Sequence, residues 1–128
     1  MKGIAQKGLA ALAWLFVLGV LVQFFLAGLG LPQLGGEGMD AHKDFGYSAL
    51  HFTPTLLIPL AFFAKASRAL IVLTFILTVV SAIQPIWAFP IQQGEFDASF
   101  HVLGAAVILV MSYEIARMAT DLVRSTTA

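Results

Sequence analysis

The sequence predicts an all-α membrane protein, an antiparallel four-transmembrane-helix bundle with both termini in the cytoplasm. Of its 128 residues, 59% are hydrophobic and only 11% are charged, whereas soluble domains are about 25% charged. The mean hydropathy is +0.91. The length allows four segments of about 20 residues, which is the length that crosses a bilayer as a helix. The whole chain, 1–128, is therefore expected to form a single membrane domain.

The first half of the chain contains two of the predicted spans. The first covers about 8–31, a run without a charged residue that is longer than the apolar core of a signal peptide, about 7–15 residues. The second covers about 41–64, with Asp40 as its N-cap and with kinks at Pro54 and Pro59, which lack a backbone N–H. Its polar residues suggest that this helix faces the interior of the bundle: Tyr47, Ser48, Thr53 and Thr55.

The second half contains the other two spans. The third covers about 69–89, and the fourth covers about 97–118 with Asp97 as its N-cap. Near the end of the fourth span, Glu114 precedes Arg117 by three residues. This spacing on a helix predicts an ion pair.

The distribution of charge predicts the orientation. One side of the predicted bundle holds six of the seven cations, and only Lys43 lies on the other: Lys2, Lys7, Lys65, Arg68, Arg117 and Arg124. The opposite side holds five carboxylates: Glu37, Asp40, Asp44, Glu95 and Asp97. The positive-inside rule then places both termini of this multi-pass protein in the cytoplasm and its acidic side in the periplasm or outside the cell.

Composition also excludes several functions. Seven Lys and Arg balance seven Asp and Glu, so no basic excess is present to bind nucleic acid. The chain has no cysteine, which excludes disulfides, thiolate nucleophiles and iron–sulfur clusters. No phosphate loop, zinc-protease motif or hydrolase elbow is visible. The three histidines are therefore the only strong metal ligands.

Both halves repeat an order of residue types: glutamine, aromatic, Gly-Glu, aspartate, histidine and glycine. The first half has Gln23, Phe24, Gly36, Glu37, Asp40, His42 and Gly46, and the second has Gln84, Trp87, Gly94, Glu95, Asp97, His101 and Gly104. The spacings differ, since aspartate and histidine are two residues apart in the first half and four in the second. A duplication would give parallel repeats about an axis along the membrane normal. Chance similarity of two external turns is an equal alternative.

His42 and His101 lie near the outer starts of the second and fourth spans. In an up-and-down bundle these spans are diagonal neighbours, with axes about 13 Å apart if adjacent axes are 8–10 Å apart. Histidines facing each other across this gap could supply both axial ligands of a haem iron. Gly46 and Gly104 follow one turn later, where a missing side chain would let a porphyrin edge approach. The alternative is headgroup-level histidines bonded to water and glycines that serve close helix packing.

Three further residues are candidates for the same site. His51 lies on the opposite helix face from His42 and about 13 Å deeper. It is expected to be the ligand in place of His42, a member of a second ligand set, a proton relay, or a core residue bonded to the local backbone. Gln23 and Gln84 lie in the outer halves of the first and third spans, where each could bond a histidine ring N–H, hold a quinone carbonyl or link helices.

These residues also carry a resemblance. The segment Gln23 to Gly30, Asp40-Ala41-His42 with Gly46, Gln84-Pro85, and His101 with Gly104 resemble an uncharacterised family of small bacterial four-helix integral membrane proteins, a domain of unknown function. That family brings no assigned activity. In architecture the chain is also similar to membrane b-type cytochromes of the b561 kind and to the haem-binding halves of haem A synthase. This second likeness implies that His42 and His101 bind haem, although those families usually carry more histidines.

The sequence therefore favours a small integral membrane b-type haem protein, with one bis-histidine haem near the outer leaflet and a role in electron transfer or haem handling. Haem b is the expected cofactor, and a quinone is a further candidate. The alternative is a cofactor-free accessory or scaffold subunit, and a transporter or channel subunit ranks last. No catalytic residue is visible, so redox activity would make it an electron-transfer protein. Expected partners are the bilayer, a quinone or redox partner, and a larger membrane complex or a second copy, but no nucleic acid.

Overall fold

The computed structural model of the protein describes residues 2–30, 38–92 and 99–127, and these are almost entirely helical and contain no strand. The elements are α1 (Lys2–Leu29), α2 (Gly38–Phe45), a π-helical turn (Gly46–Leu50), α3 (Thr53–Phe63), α4 (Arg68–Gln92) and α5 (Ser99–Thr127). The predicted all-α class is confirmed. The predicted N-cap Asp97 and four residues of the predicted repeat lie outside the described residues: Gly36, Glu37, Gly94 and Glu95.

Three helices are long and apolar enough to cross a membrane: Lys2–Leu29, Arg68–Ala88 and Ser99–Thr126. Large apolar side chains cover the outside of the structure, among them Phe25, which is 65% exposed, and Phe63, which is 72% exposed. Soluble monomers rarely expose contiguous apolar surface of this kind. The chain is a membrane protein, and its outer surface fits contact with lipid.

The second predicted span is divided into α2, the π-helical turn and α3, and the interruption at His51 and Phe52 lies next to the kink predicted at Pro54. Pro54 lies in the first turn of α3, where its missing N–H is tolerated. The nearby hydroxyls bond the local backbone: Ser48 Oγ donates to the Asp44 carbonyl and Thr55 Oγ1 to the Phe52 carbonyl, both at 2.6 Å. Ser48 and Thr55 are exposed. These two side chains therefore do not show that the second span faces the interior, because their hydroxyls bond carbonyls of their own segment.

Asp40 is not the N-cap of the second span, because α2 begins at Gly38. Its carboxylate lies in the first turn of α2, where the positive end of the helix dipole stabilises a negative charge. It also lies 3.7 Å from Lys43 Nζ, and its side chain is 93% exposed. Such an exposed pair contributes little to stability.

Four of the helices pack as a ring in which each contacts two neighbours: α1 contacts α3 and α5, and α4 contacts α3 and α5. The centre of the ring is filled by fully buried side chains, the largest of which are Leu9, Leu57, Leu70, Leu77 and Ile115. A Cβ at Gly8 would lie 3.8 Å from Leu60, and one at Gly19 would lie 2.7 Å from Leu50. Small residues on α1 thus let the π-helical turn and α3 approach closely, as is usual between membrane helices.

The predicted ion pair near the end of α5 is confirmed. Arg117 Nη2 lies 2.8 Å from Glu114 Oε2, and its Nη1 lies 3.2 Å from Asp121 Oδ2. On the neighbouring helix, Trp14 Nε1 donates to Thr120 Oγ1 at 3.0 Å. The Trp14–Thr120 hydrogen bond links α1 to α5, whereas the ion pairs of Arg117 lie within α5.

Candidate functional site

His42 and His101 face each other beside Gln23 of α1 and Gln84 of α4. His42 lies on α2 and His101 on α5. Their ring centroids are 6.2 Å apart and their planes are inclined at 73°. Both side chains are half-buried. The structure thus brings together the two histidines that the sequence selects, although 59 residues separate them in the chain.

Each histidine ring is held by a backbone carbonyl of a neighbouring helix. His42 Nδ1 lies 3.1 Å from the Gln23 carbonyl oxygen, and His101 Nδ1 lies 3.3 Å from the Gln84 carbonyl oxygen. A carbonyl only accepts, so in each ring Nδ1 carries the proton and donates. The lone pair of each neutral ring is then on Nε2, the arrangement typical of metal-binding histidine.

The glutamine side chains do not make the contact that the sequence suggests. The ring N–H groups meet the main chain of Gln23 and Gln84, and the Gln23 side chain instead donates from Nε2 to the His42 carbonyl at 2.8 Å. A helical carbonyl has a second lone pair that can accept such a bond. The type of contact depends on helix depth and rotation, so no sequence signal reveals it.

Gly46 and Gly104 leave space that the glutamine amides occupy. A Cβ at Gly46 would lie 2.7 Å from Gln23 Nε2. A Cβ at Gly104 would approach Gln84 Nε2 more closely still and would lie 2.8 Å from Trp87 Cε3. The glycines were expected to leave room for a porphyrin edge. In the structure this room is occupied by the side chains of Gln23, Gln84 and Trp87.

The two sets of residues therefore share their contacts. We call Gln23, His42 and Gly46 the first triad, and Gln84, His101 and Gly104 the second triad. In each triad the histidine ring meets the glutamine carbonyl and the glutamine amide covers the glycine. The triads differ in one hydrogen bond: Gln23 Nε2 donates to the His42 carbonyl, whereas Gln84 Nε2 has no partner among the described residues.

Several polar atoms near the second triad are buried without a hydrogen-bond partner. Among the described residues these are both amide atoms of Gln84 and Ser81 Oγ, together with Gln23 Oε1 in the first triad. Other buried hydroxyls bond their own helix, as Thr74 does with the Ile71 carbonyl. Ser81 is three residues before Gln84 and so lies on the same face of α4. Ser81 was not among the residues selected from the sequence. Its spacing of three residues from Gln84 was the feature that could have identified it.

His51 is not part of the histidine pair. It follows the π-helical turn, and its ring lies 4.7 Å from that of Phe52 and 6.3 Å from that of Tyr47. In the described part of the chain, no group of three or more His, Cys, Asp or Glu side chains could hold a metal ion. The protein side chains at the site thus offer two nitrogen ligands, from His42 and His101.

Comparison with protein-family models, curated proteins and solved structures finds no match for this chain. The resemblance to a family of small four-helix membrane proteins thus stays a prediction. Conclusions about function rest on the geometry of the two triads.

Proposed function

We propose that the protein is a small integral membrane b-type haem protein in which His42 and His101 would hold the haem iron, with a role in electron transfer or haem handling. The observation that carries the proposal is the 6.2 Å between the two ring centroids. Imidazoles on opposite sides of one metal ion have centroids about 6 Å apart, since the metal–nitrogen bond is about 2.0–2.1 Å and the ring centre about 1.1 Å further.

The protonation of the rings supports the same proposal. Both Nδ1 atoms donate to backbone carbonyls, so both Nε2 atoms are available as ligands. Carbonyl partners of this kind fix the orientation of ligand histidines and raise their basicity. In addition, neither ring has to change its tautomer before it binds a metal.

The number of protein ligands favours haem over a bare ion. Structural sites for ions such as Zn²⁺ usually take four protein ligands, whereas the described residues offer only the histidine pair. A porphyrin supplies the remaining nitrogens itself, and a haem iron needs only axial ligands from the protein. Bound there, the haem would supply one-electron chemistry, and Gln23 and Gln84 would hold its ligands.

The proposal includes a membrane arrangement. We propose an antiparallel four-helix bundle in the bacterial inner membrane, with both termini in the cytoplasm and the histidine pair near the outer leaflet. Most cations lie near the termini or in the turn that contains Lys65 and Arg68, which supports this orientation through the positive-inside rule. Gly8 lies next to Leu60 and Gly19 next to Leu50. Residue numbers thus rise along α1 while they fall along its neighbour, which supports opposite directions for α1 and the chain from Leu50 to Leu60.

The direct test is an absorption spectrum of the full chain, purified in mild detergent after expression with added haem, before and after reduction with dithionite. A strong Soret band with sharp reduced α and β bands is expected for low-spin bis-histidine haem. The variants His42→Ala and His101→Ala should each lose this spectrum while remaining helical and monodisperse. His51→Ala is the matched control, and it should keep the spectrum.

Two results would contradict the assignment. If His101→Ala keeps haem at full occupancy and with an unchanged spectrum, His101 is not a ligand. If the wild-type protein shows only the 280 nm protein band, the haem proposal fails. A cofactor-free accessory subunit then becomes the leading function, and a stoichiometric membrane partner should co-purify with the chain.

A further inference from the structure

An apolar groove opens on the outside of the fold, between the first turns of α1 and the last turns of α3. Its volume is about 420 Å³, and it is lined by Ile4, Ala5, Gly8, Leu60 and Phe63. Small-molecule sites of about 300–1,000 Å³ are usual in proteins. Ile4 and Phe63 are 78% and 72% exposed, so the groove is open to its surroundings. Since its lining contains no polar side chain, it fits a hydrocarbon chain.

Two lysines lie at the edge of this groove. Lys7 directly precedes Gly8 of the lining, Lys65 follows the end of α3, and both are exposed. Gln6 Nε2 donates to the Ala64 carbonyl at 3.4 Å in the buried part of the fold. This bond joins the residues that immediately precede the two lysines, and it thus holds both lysines at the same end of the groove.

Neither lysine is neutralised by the protein. Among the described residues, no carboxylate lies within ion-pair distance of Lys7 or Lys65. The carboxylates of Glu114 and Asp121, on α5, already bond Arg117. The groove therefore combines an apolar lining with an unpaired positive edge, which matches the charge of an anionic amphiphile.

We propose that this groove binds an anionic phospholipid, with one acyl chain against Gly8 and Leu60 and the phosphate group between Lys7 and Lys65. The methylene stem of a lysine can lie along apolar surface while its ammonium group reaches a phosphate. A zwitterionic head group carries a cation of its own, which opposes the lysines, so the groove should select the anionic lipid. In the proposed membrane arrangement this lipid belongs to the cytoplasmic leaflet.

The backbone of Lys65 adds a second observation. Lys65 has a φ of 52°, and the N–H groups of Lys65 and Ala66 donate to the carbonyls of Phe62 and Ala61 at 3.0 Å. This is the usual end of a helix with a left-handed residue, and glycine is the residue that such a position favours. A lysine there is unfavourable for the fold, which is accounted for if its side chain binds a ligand.

The test is native mass spectrometry of the full chain in a neutral detergent, titrated with phosphatidylglycerol or with phosphatidylcholine, each with two oleoyl chains. The wild type should bind one phosphatidylglycerol about twenty-fold more tightly than phosphatidylcholine. Lys7→Gln and Lys65→Gln should each lower this preference about five-fold, the share expected from one lysine near an anionic surface. Gly8→Leu should weaken the binding of both lipids, because its side chain occupies the groove.

Lys65→Gly separates binding from folding. It should keep or raise the melting temperature, because glycine suits a φ of 52°, and yet lower the preference about five-fold. Lys43→Gln is the matched control for charge, since Lys43 follows His42, whose partner Gln23 lies fifteen residues beyond Gly8, about 22 Å along α1. Gly28→Leu is the control for Gly8→Leu, because nothing lies within 4 Å of a Cβ at Gly28. Both controls should bind as the wild type does.

Three results would overturn the lipid site. These are equal affinity of the wild type for the two lipids, unchanged binding in Gly8→Leu, and a Lys65→Gly variant that keeps the full preference. A preference lowered equally by Lys43→Gln and Lys7→Gln would also contradict it, because net charge alone would then attract the lipid. None of these measurements involves the histidine pair, so the inference stands or fails independently of the haem proposal.

Discussion

Gln23 and His42 are joined by two hydrogen bonds that run in opposite directions. The His42 ring donates from Nδ1 to the Gln23 carbonyl at 3.1 Å, and the Gln23 side chain donates from Nε2 to the His42 carbonyl at 2.8 Å. The pair fixes the rotation of the ring and the height of the short helix α2 against α1. An eight-residue helix is too short to be stable by itself, so this contact positions the first histidine.

Gln23→Leu tests this contact. The substitution removes the donor to the His42 carbonyl, and we expect it to lower the free energy of unfolding by about 1 kcal/mol and to reduce haem occupancy. Gln84→Leu should destabilise the fold less, because the Gln84 amide has no partner among the described residues. Thermal denaturation in detergent measures both effects. A larger destabilisation by Gln84→Leu than by Gln23→Leu would contradict this account.

A side chain at residue 46 or 104 would force a glutamine amide to move from the space that it occupies. We expect Gly46→Ala and Gly104→Ala to lower stability by about 1–3 kcal/mol, the usual cost of overpacking, and to disturb the haem spectrum. Gly104→Ala should have the larger effect, since the Trp87 ring must move as well as the Gln84 amide.

Gly28→Ala is the control for this pair, because nothing lies within 4 Å of a Cβ at Gly28. It should be neutral or stabilising, since alanine favours helix by about 1 kcal/mol over glycine. The comparison can be made from melting temperatures and Soret absorbance of the same samples. Equal melting temperatures of Gly28→Ala and Gly104→Ala would show that the packing of Gln84 and Trp87 against Gly104 does not affect stability.

The angle between the histidine rings predicts a spectroscopic signature for a haem held by this pair. The planes are inclined at 73°, so their π interactions with an iron bound by both rings would fall on two nearly perpendicular d orbitals. These orbitals then have similar energies, and the ferric low-spin state should have a highly anisotropic electron paramagnetic resonance spectrum with one large g value. A rhombic spectrum typical of parallel rings would contradict the observed angle without removing the two ligands.

The absence of cysteine makes the membrane orientation directly measurable. Single cysteines placed at Gly3, Asp40 and Ser125, which are exposed, can be labelled in intact cells by a membrane-impermeant maleimide. We expect labelling of Asp40→Cys from outside and labelling of Gly3→Cys and Ser125→Cys only after the cells are permeabilised. The reverse pattern would place the histidine pair near the cytoplasmic leaflet.

The sequence by itself determined the long helices and the two histidines. The runs that form α1, α4 and α5 are apolar over the length of a bilayer, and this property is local, since it depends on composition along a single segment. His42 and His101 could be selected because strong ligands are rare in this chain. The pairing of Glu114 with Arg117 was also predictable, because a spacing of three residues on a helix sets their contact.

Only the tertiary structure decided how those residues meet. The carbonyl partners of the histidine rings, the amides against Gly46 and Gly104, and the unsatisfied Ser81 all depend on how deep each helix lies and how it is rotated. Depth and rotation result from the packing of four helices together, and a shift of one residue turns a helix by about 100°. The sequence of a single apolar segment does not determine its depth or rotation, because lipid and neighbouring helices accept the same side chains.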